Sequence, residues 1–131
     1  MIPEAPPSCS FWQRWGNRFA CAGRGLAHVV ACEPSGRVHA AALAVVAGLG
    51  GWLGIGRVEW AVLALAAGAV ISAEALNTAV ERLADRVSGE REEAIRLVKD
   101  VAAGGVLAAT FGAVLAGLLV LGPPLWQRLF G

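Results

Sequence analysis

Charge is scarce in this chain. Only 16% of its 131 residues are Asp, Glu, Lys or Arg, while 56% are apolar and the mean hydropathy is +0.60. Ordinary soluble domains carry about 25% charged residues, so a water-soluble catalytic domain is excluded and the chain is built for a bilayer. Its single lysine, Lys99, follows Val98 rather than a glycine-rich turn. The phosphate loop G-x-x-x-x-G-K-S/T is therefore absent, as are G-x-G-x-x-G and the protein-kinase signatures, which excludes the usual soluble nucleotide sites. Cysteine is sparse as well. Cys9, Cys21 and Cys32 are odd in number and show neither a C-x-x-C nor a His-paired spacing. They suggest neither a disulfide framework nor a zinc site and read as reduced thiols on the cytoplasmic side. The net charge of +1 leaves no electrostatic footprint for nucleic acid.

What the chain has in abundance is long apolar runs. Residues 38–56 and 101–121 are apolar apart from His39 and Thr110, and 59–80 form a third run. At 1.5 Å per residue each can cross a hydrocarbon core of about 30 Å. The expected architecture is an all-α membrane protein with one domain over 10–131, preceded by a mobile, proline-containing tail at 1–9. Ser10 and Gln13 fit a capping box for a surface helix over 10–33. Phe11, Trp12, Trp15 and Phe19 share one arc of that helix, and Arg14, Arg18, Arg24 and His28 the other, as in a helix lying in the membrane interface. A target-like or soluble packing helix is the alternative. The transmembrane helices are then 38–56, 59–80 with a polar extension to 87, and 101–121. Ser88 and Gly89 break the second, Glu90, Glu92 and Glu93 start the third, and Gly122, Pro123 and Pro124 close it. Two rows of small residues, Gly104, Ala108, Gly112, Ala116 and Gly105, Ala109, Ala113, Gly117, favour a tight bundle or an oligomer.

The second span carries the chemistry. Glu74, Asn77, Thr78, Glu81 and Asp85 fall within about 100° of one another around a helix, one acidic seam on an otherwise apolar surface. An ionisable group at membrane depth costs roughly 2.5 to 3.5 kcal/mol on insertion scales, so several on one face point to function. The bland alternative is a helix end emerging into water, and it fits Asp85 and Glu81 better than the deeper Glu74. Pro34 disfavours helix at Glu33, which leaves that carboxylate at a corner, either in a site or in a solvated turn. His39 reads as an interfacial or capping histidine rather than a ligand. With the N-terminus inside, Arg14, Arg18, Arg24, Arg37, Arg82, Arg86, Arg91, Arg96 and Lys99 are cytoplasmic and only Arg57 and Arg128 are outside. The seam then opens to the cytoplasm. Hard oxygen ligands suit Mg²⁺, a lysine suits phosphate, and a carboxylate within the bilayer can take a proton from a lipid hydroxyl.

The stretch EALNTAVERLADRV from Glu74 to Val87, the KDVAAGGVL of Lys99 to Leu107, and GLAHVVACE and GRVHA upstream resemble the prokaryotic diacylglycerol kinase and undecaprenol kinase family over residues 10–120. The resemblance implies a homotrimer of three-span protomers in the inner, cytoplasmic membrane, with sites shared between protomers and MgATP as phosphate donor. Carried over residue by residue, it implies Glu74 as general base at the lipid, Glu33 and Glu81 as metal and ATP ligands, and Asn77 as their support. It further implies nucleotide contacts from Lys99 and Asp100 and a lipid-side role for Arg14. Diacylglycerol is the expected acceptor and undecaprenol the alternative, toward which the E-x-x-x-R-x-H pattern of Glu33, Arg37 and His39 leans. A non-catalytic helical membrane oligomer is the competing reading from another class. It sits poorly with polar positions crowded at one end of a span, where a conduction path needs them along its length.

Overall fold

The computed structural model describes residues 11–87 and 93–131. The tail at 1–9, the Ser10 cap, the break at Ser88 and Gly89, and Glu90, Arg91 and Glu92 lie outside the described residues. Four α-helices follow in order: α1 (Phe11–Cys32), α2 (Pro34–Leu53), α3 (Arg57–Val87) and α4 (Glu93–Phe130). Three of them, α2, α3 and α4, are long and apolar enough to cross a membrane. The protein is an all-helical membrane protein.

A single residue separates α1 from α2. Glu33 adopts extended backbone angles, φ −89° and ψ 133°, because the Pro34 ring clashes with a helical residue before it. Pro34 itself starts α2, where its missing N–H and preset φ cost nothing. The turn is so tight that a Cβ on Gly36 would lie 2.1 Å from the Val29 carbonyl oxygen. Only glycine allows the two helices to meet there. This junction starts α2 four residues before the apolar run predicted at 38–56, and those residues matter for the site.

α2 ends in a Schellman motif, with Gly54 N–H bonded to Gly51 O at 3.3 Å and Ile55 N–H to Gly50 O at 3.2 Å. Gly54 takes the left-handed conformation this motif requires, φ 66°. α3 then returns without interruption through the apolar run and its polar extension to Val87. At the far end α4 departs from expectation: it continues through Pro123 and Pro124 to Phe130, where the Gly-Pro-Pro sequence predicts a stop. Gly122 has no side chain to clash with the following ring, and a proline in a membrane helix is tolerated when neighbours relieve the freed carbonyls. The extra turns pack back on α2, with the Arg128 guanidinium 5.4 Å from the centre of the Trp52 ring.

Packing is most extensive between α3 and α4, while α1 rests on α2 and touches α3. Among the described residues the buried apolar side chains are few, namely Val29, Leu63, Val70, Ala84 and Leu121. Two polar ones, Glu74 and Thr78, are buried beside them. Large apolar side chains such as Leu65, Leu107 and Phe111 instead point outward. That inversion is what a lipid-facing bundle shows, since burial of polar groups inside and apolar groups against hydrocarbon are both favourable there.

Candidate active site

The polar seam is realised on one unbroken helix. Because α3 keeps helical geometry from Arg57 to Val87, Glu74, Asn77, Thr78, Glu81 and Asp85 share a face, as the spacing predicts. Glu74 lies deepest, with only 4% of its surface exposed. A carboxylate so covered needs hydrogen-bond partners. It finds two on the first turns of α2: Ser35 Oγ donates to its Oε2 at 3.2 Å, and His39 Nε2 lies 3.0 Å from its Oε1. His39 is thus a partner of the buried carboxylate, a role the sequence reading did not give it. Ser35 was missed altogether. The signal was available, since a helix begun by Pro34 puts positions 35 and 39, four apart, on one face.

One turn further along α3, Asn77 Nδ2 donates to Glu81 Oε1 at 3.0 Å. Its Oδ1 is buried and has no partner. Beyond it, Arg82 donates to Glu33 Oε1 at 2.9 Å and also to His28 Nε2. Glu33 is therefore tied to α3 through Arg82. In sequence Arg82 carried only an orientation argument, and its bridging role could not be read from local spacing. Lys99 on α4 donates to Asp85, which closes the polar end of the α3 and α4 pair. Asp100 is 68% exposed and lies 3.9 Å from Arg96, a helical turn away. Arg14 sits exposed in the first turn of α1, about 27 Å along the helix from Cys32 by its rise. Within one chain, then, Glu33, Glu74, Asn77, Glu81 and Lys99 are linked to α3 by their contacts or positions, and Arg14 is remote from the α1–α2 corner.

Two apolar spaces lie near the seam, one bordered by His39 and the other by Asn77. One, about 150 Å³, lies between α2, α3 and α4, with His39 and Thr110 as its polar lining residues. The other is an open groove of about 640 Å³ between α3 and α4, lined by Leu76, Val80, Leu97, Val101 and neighbours, with Asn77 among them. A polar cluster bordered by hydrocarbon-lined surfaces is suited to an amphiphile whose head meets the cluster. No group of three or more His, Cys, Asp or Glu side chains that could hold a metal ion exists among the described residues.

Known proteins resemble this sequence over most of its length. Residues 20–121 match the family model of the prokaryotic diacylglycerol kinases. The undecaprenol kinase of Bacillus subtilis is 32% identical over 112 residues, covering 86% of this chain and 91% of that protein. A diacylglycerol kinase of Synechocystis is 35% identical over 108 residues, 82% of this chain and 62% of that protein. With its three membrane-crossing helices and a match across most of its length, the chain belongs to the prokaryotic diacylglycerol kinase family and is a membrane lipid kinase.

Proposed function

We propose that this enzyme transfers the γ-phosphate of MgATP to the hydroxyl of diacylglycerol, forming phosphatidic acid at the cytoplasmic face of the inner membrane. The observation that carries the reading is Glu74, a carboxylate buried at the apolar end of a polar seam and held by His39, which borders one hydrocarbon-lined space, while Asn77, one turn further on, borders another. A lipid hydroxyl rising from the bilayer meets that carboxylate first. ATP, with four negative charges, cannot follow it into the apolar part and stays at the polar end, near Glu33, Glu81 and Lys99.

In the transfer the lipid O–H bond breaks and its proton passes to the Glu74 carboxylate. The alcohol oxygen bonds to the γ-phosphorus, and the bond from that phosphorus to the β,γ-bridging oxygen breaks, releasing ADP. General-base assistance of this kind contributes about 10²- to 10⁴-fold in rate. Mg²⁺, when bound with the nucleotide, neutralises charge on the phosphate oxygens. Its site is assigned to Glu33 and Glu81. Mg²⁺ is usually held by one or two carboxylates together with substrate phosphates, so two carboxylates and the nucleotide would complete its ligand set. The unpartnered Asn77 Oδ1 is a further hard oxygen in that neighbourhood. Lys99 and Asp100 contact the nucleotide, Lys99 exchanging Asp85 for a phosphate. Arg14, remote in its own chain, belongs to the lipid side of a site completed by another protomer. A homotrimer supplies that protomer, and the small-residue row of α4 supports close helix contact: Gly104, Gly105 and Gly112 have open space where a side chain would be. α1, with Trp12 and Phe19 exposed and Arg18 stacked on Trp15 at 5.6 Å, lies in the membrane interface.

Undecaprenol is the second reading of the acceptor. His39 in the E-x-x-x-R-x-H pattern and the similarity to the undecaprenol kinase favour it. Purified protein in mixed micelles, given labelled ATP and each alcohol side by side, decides between them. A strong preference for undecaprenol overturns the diacylglycerol assignment, and transfer to neither alcohol overturns both.

A further inference from the structure

We infer that Ser35 and His39 are positioning residues for the phosphoryl transfer, holding the Glu74 carboxylate in the one orientation from which it takes the lipid proton. The inference rests on the reading of Glu74 as the base. Each carboxylate oxygen has one partner from α2: Ser35 Oγ on Oε2 and His39 Nε2 on Oε1. Two contacts at two oxygens fix both the position and the plane of the group, whereas one contact would leave rotation about the other. The pair therefore sets the direction of the carboxylate lone pairs left for the substrate.

Among the described residues the polar partner of the His39 ring is Glu74. It borders the space of about 150 Å³ whose remaining lining is apolar except for Thr110, and the Thr110 hydroxyl is buried without a partner. His28 of α1 and Glu33 at the turn are both engaged by Arg82. Glu74 is what His39 holds. In this arrangement Nε2 carries a proton and donates to the carboxylate oxygen. The Ser35 hydroxyl donates likewise. Both residues reach Glu74 only because α2 begins at Pro34, at a junction that Gly36 allows to close. Misplacement of a reacting group by about 1 Å costs about 10²-fold in rate, so loss of this clamp registers in turnover.

The test compares His39→Leu, His39→Gln and Ser35→Ala with the parent enzyme in mixed micelles, measuring kcat, the KM for MgATP and thermal stability. His39→Leu removes the N–H donor and is expected to lower kcat about 10- to 100-fold with the KM for MgATP unchanged, the range seen when groups orienting a reactive ligand are lost. His39→Gln restores a side-chain N–H and recovers most of that loss, a rescue that a purely space-filling role does not produce. Ser35→Ala lies at an exposed position, lowers kcat severalfold, and carries the test if His39→Leu does not assemble. Full kcat in His39→Leu, or failure of His39→Gln to recover, overturns the inference for His39, and full kcat in Ser35→Ala overturns it for Ser35. Glu74→Gln in the same series separates the two levels of the argument. If it is inactive while the α2 variants are fully active, only the positioning inference falls. If it is active, the base reading falls with it.

Discussion

The Arg82 guanidinium meets the Glu33 carboxylate at 2.9 Å, tying the corner between α1 and α2 to the polar end of α3. The Arg82 side chain is 57% exposed and that of Glu33 27%, so the pair contributes little to stability, on the order of 1 kcal/mol or less. Its consequence is placement. Arg82→Gln is expected to leave the melting temperature nearly unchanged while raising the KM for MgATP, because Glu33 loses the group that directs it at the seam. Isothermal titration of MgATP beside a thermal melt checks this, and an unchanged affinity counts against it.

Glu74→Gln keeps the shape of the side chain and removes its capacity to accept the lipid proton. Turnover is expected to fall about 10²- to 10⁴-fold. On the proposed arrangement MgATP binding stays intact, since the nucleotide is placed at the other end of the seam. Thermal stability is expected to hold or rise, because a charge at membrane depth is removed. Turnover, binding and melting are to be measured on one preparation. Retained turnover in a folded protein removes Glu74 from the chemistry.

If Glu33 and Glu81 hold the cation as proposed, Glu33→Gln and Glu81→Gln each take a negative ligand from an ion held by few carboxylates. Both are expected to raise the Mg²⁺ concentration needed for half-maximal activity, and saturating Mg²⁺ is expected to recover part of the rate. A pure loss of kcat at an unchanged Mg²⁺ requirement contradicts the ligand assignment.

Gly36→Ala places a Cβ 2.1 Å from the Val29 carbonyl oxygen, a backbone atom that cannot swing aside. The helices must separate, at a cost of about 1–3 kcal/mol typical of overpacking. A lowered melting temperature together with a lowered kcat is expected, because the displaced turn carries Ser35 and, one turn on, His39. Thermal unfolding in detergent alongside the assay measures both effects.

Topology offers an independent check. With the N-terminus inside, the exposed thiols of Cys21 and Cys32 are protected from a membrane-impermeant reagent in intact cells, whereas a cysteine introduced as Gly131→Cys reacts. The reverse pattern puts the seam on the side away from cytoplasmic ATP.

What the sequence by itself determined is everything that depends on neighbours within a turn or two of helix. The apolar runs foretold three long helices because burying or exposing backbone in hydrocarbon permits little else. The seam from Glu74 to Asp85 was legible because helical periodicity alone puts those residues on one face. Pro34 announced the corner at Glu33 through its clash with the preceding residue. What only the tertiary structure decided lies across helices: Ser35 and His39 on Glu74, 39 and 35 residues away in sequence, and Arg82 between His28 and Glu33. Side-chain pairs so far apart have no period to betray them. Their meeting depends on where α2 begins, on the close approach at Gly36, and on the rotation of α3 against α2, and packing fixes those quantities only once all the helices are in place.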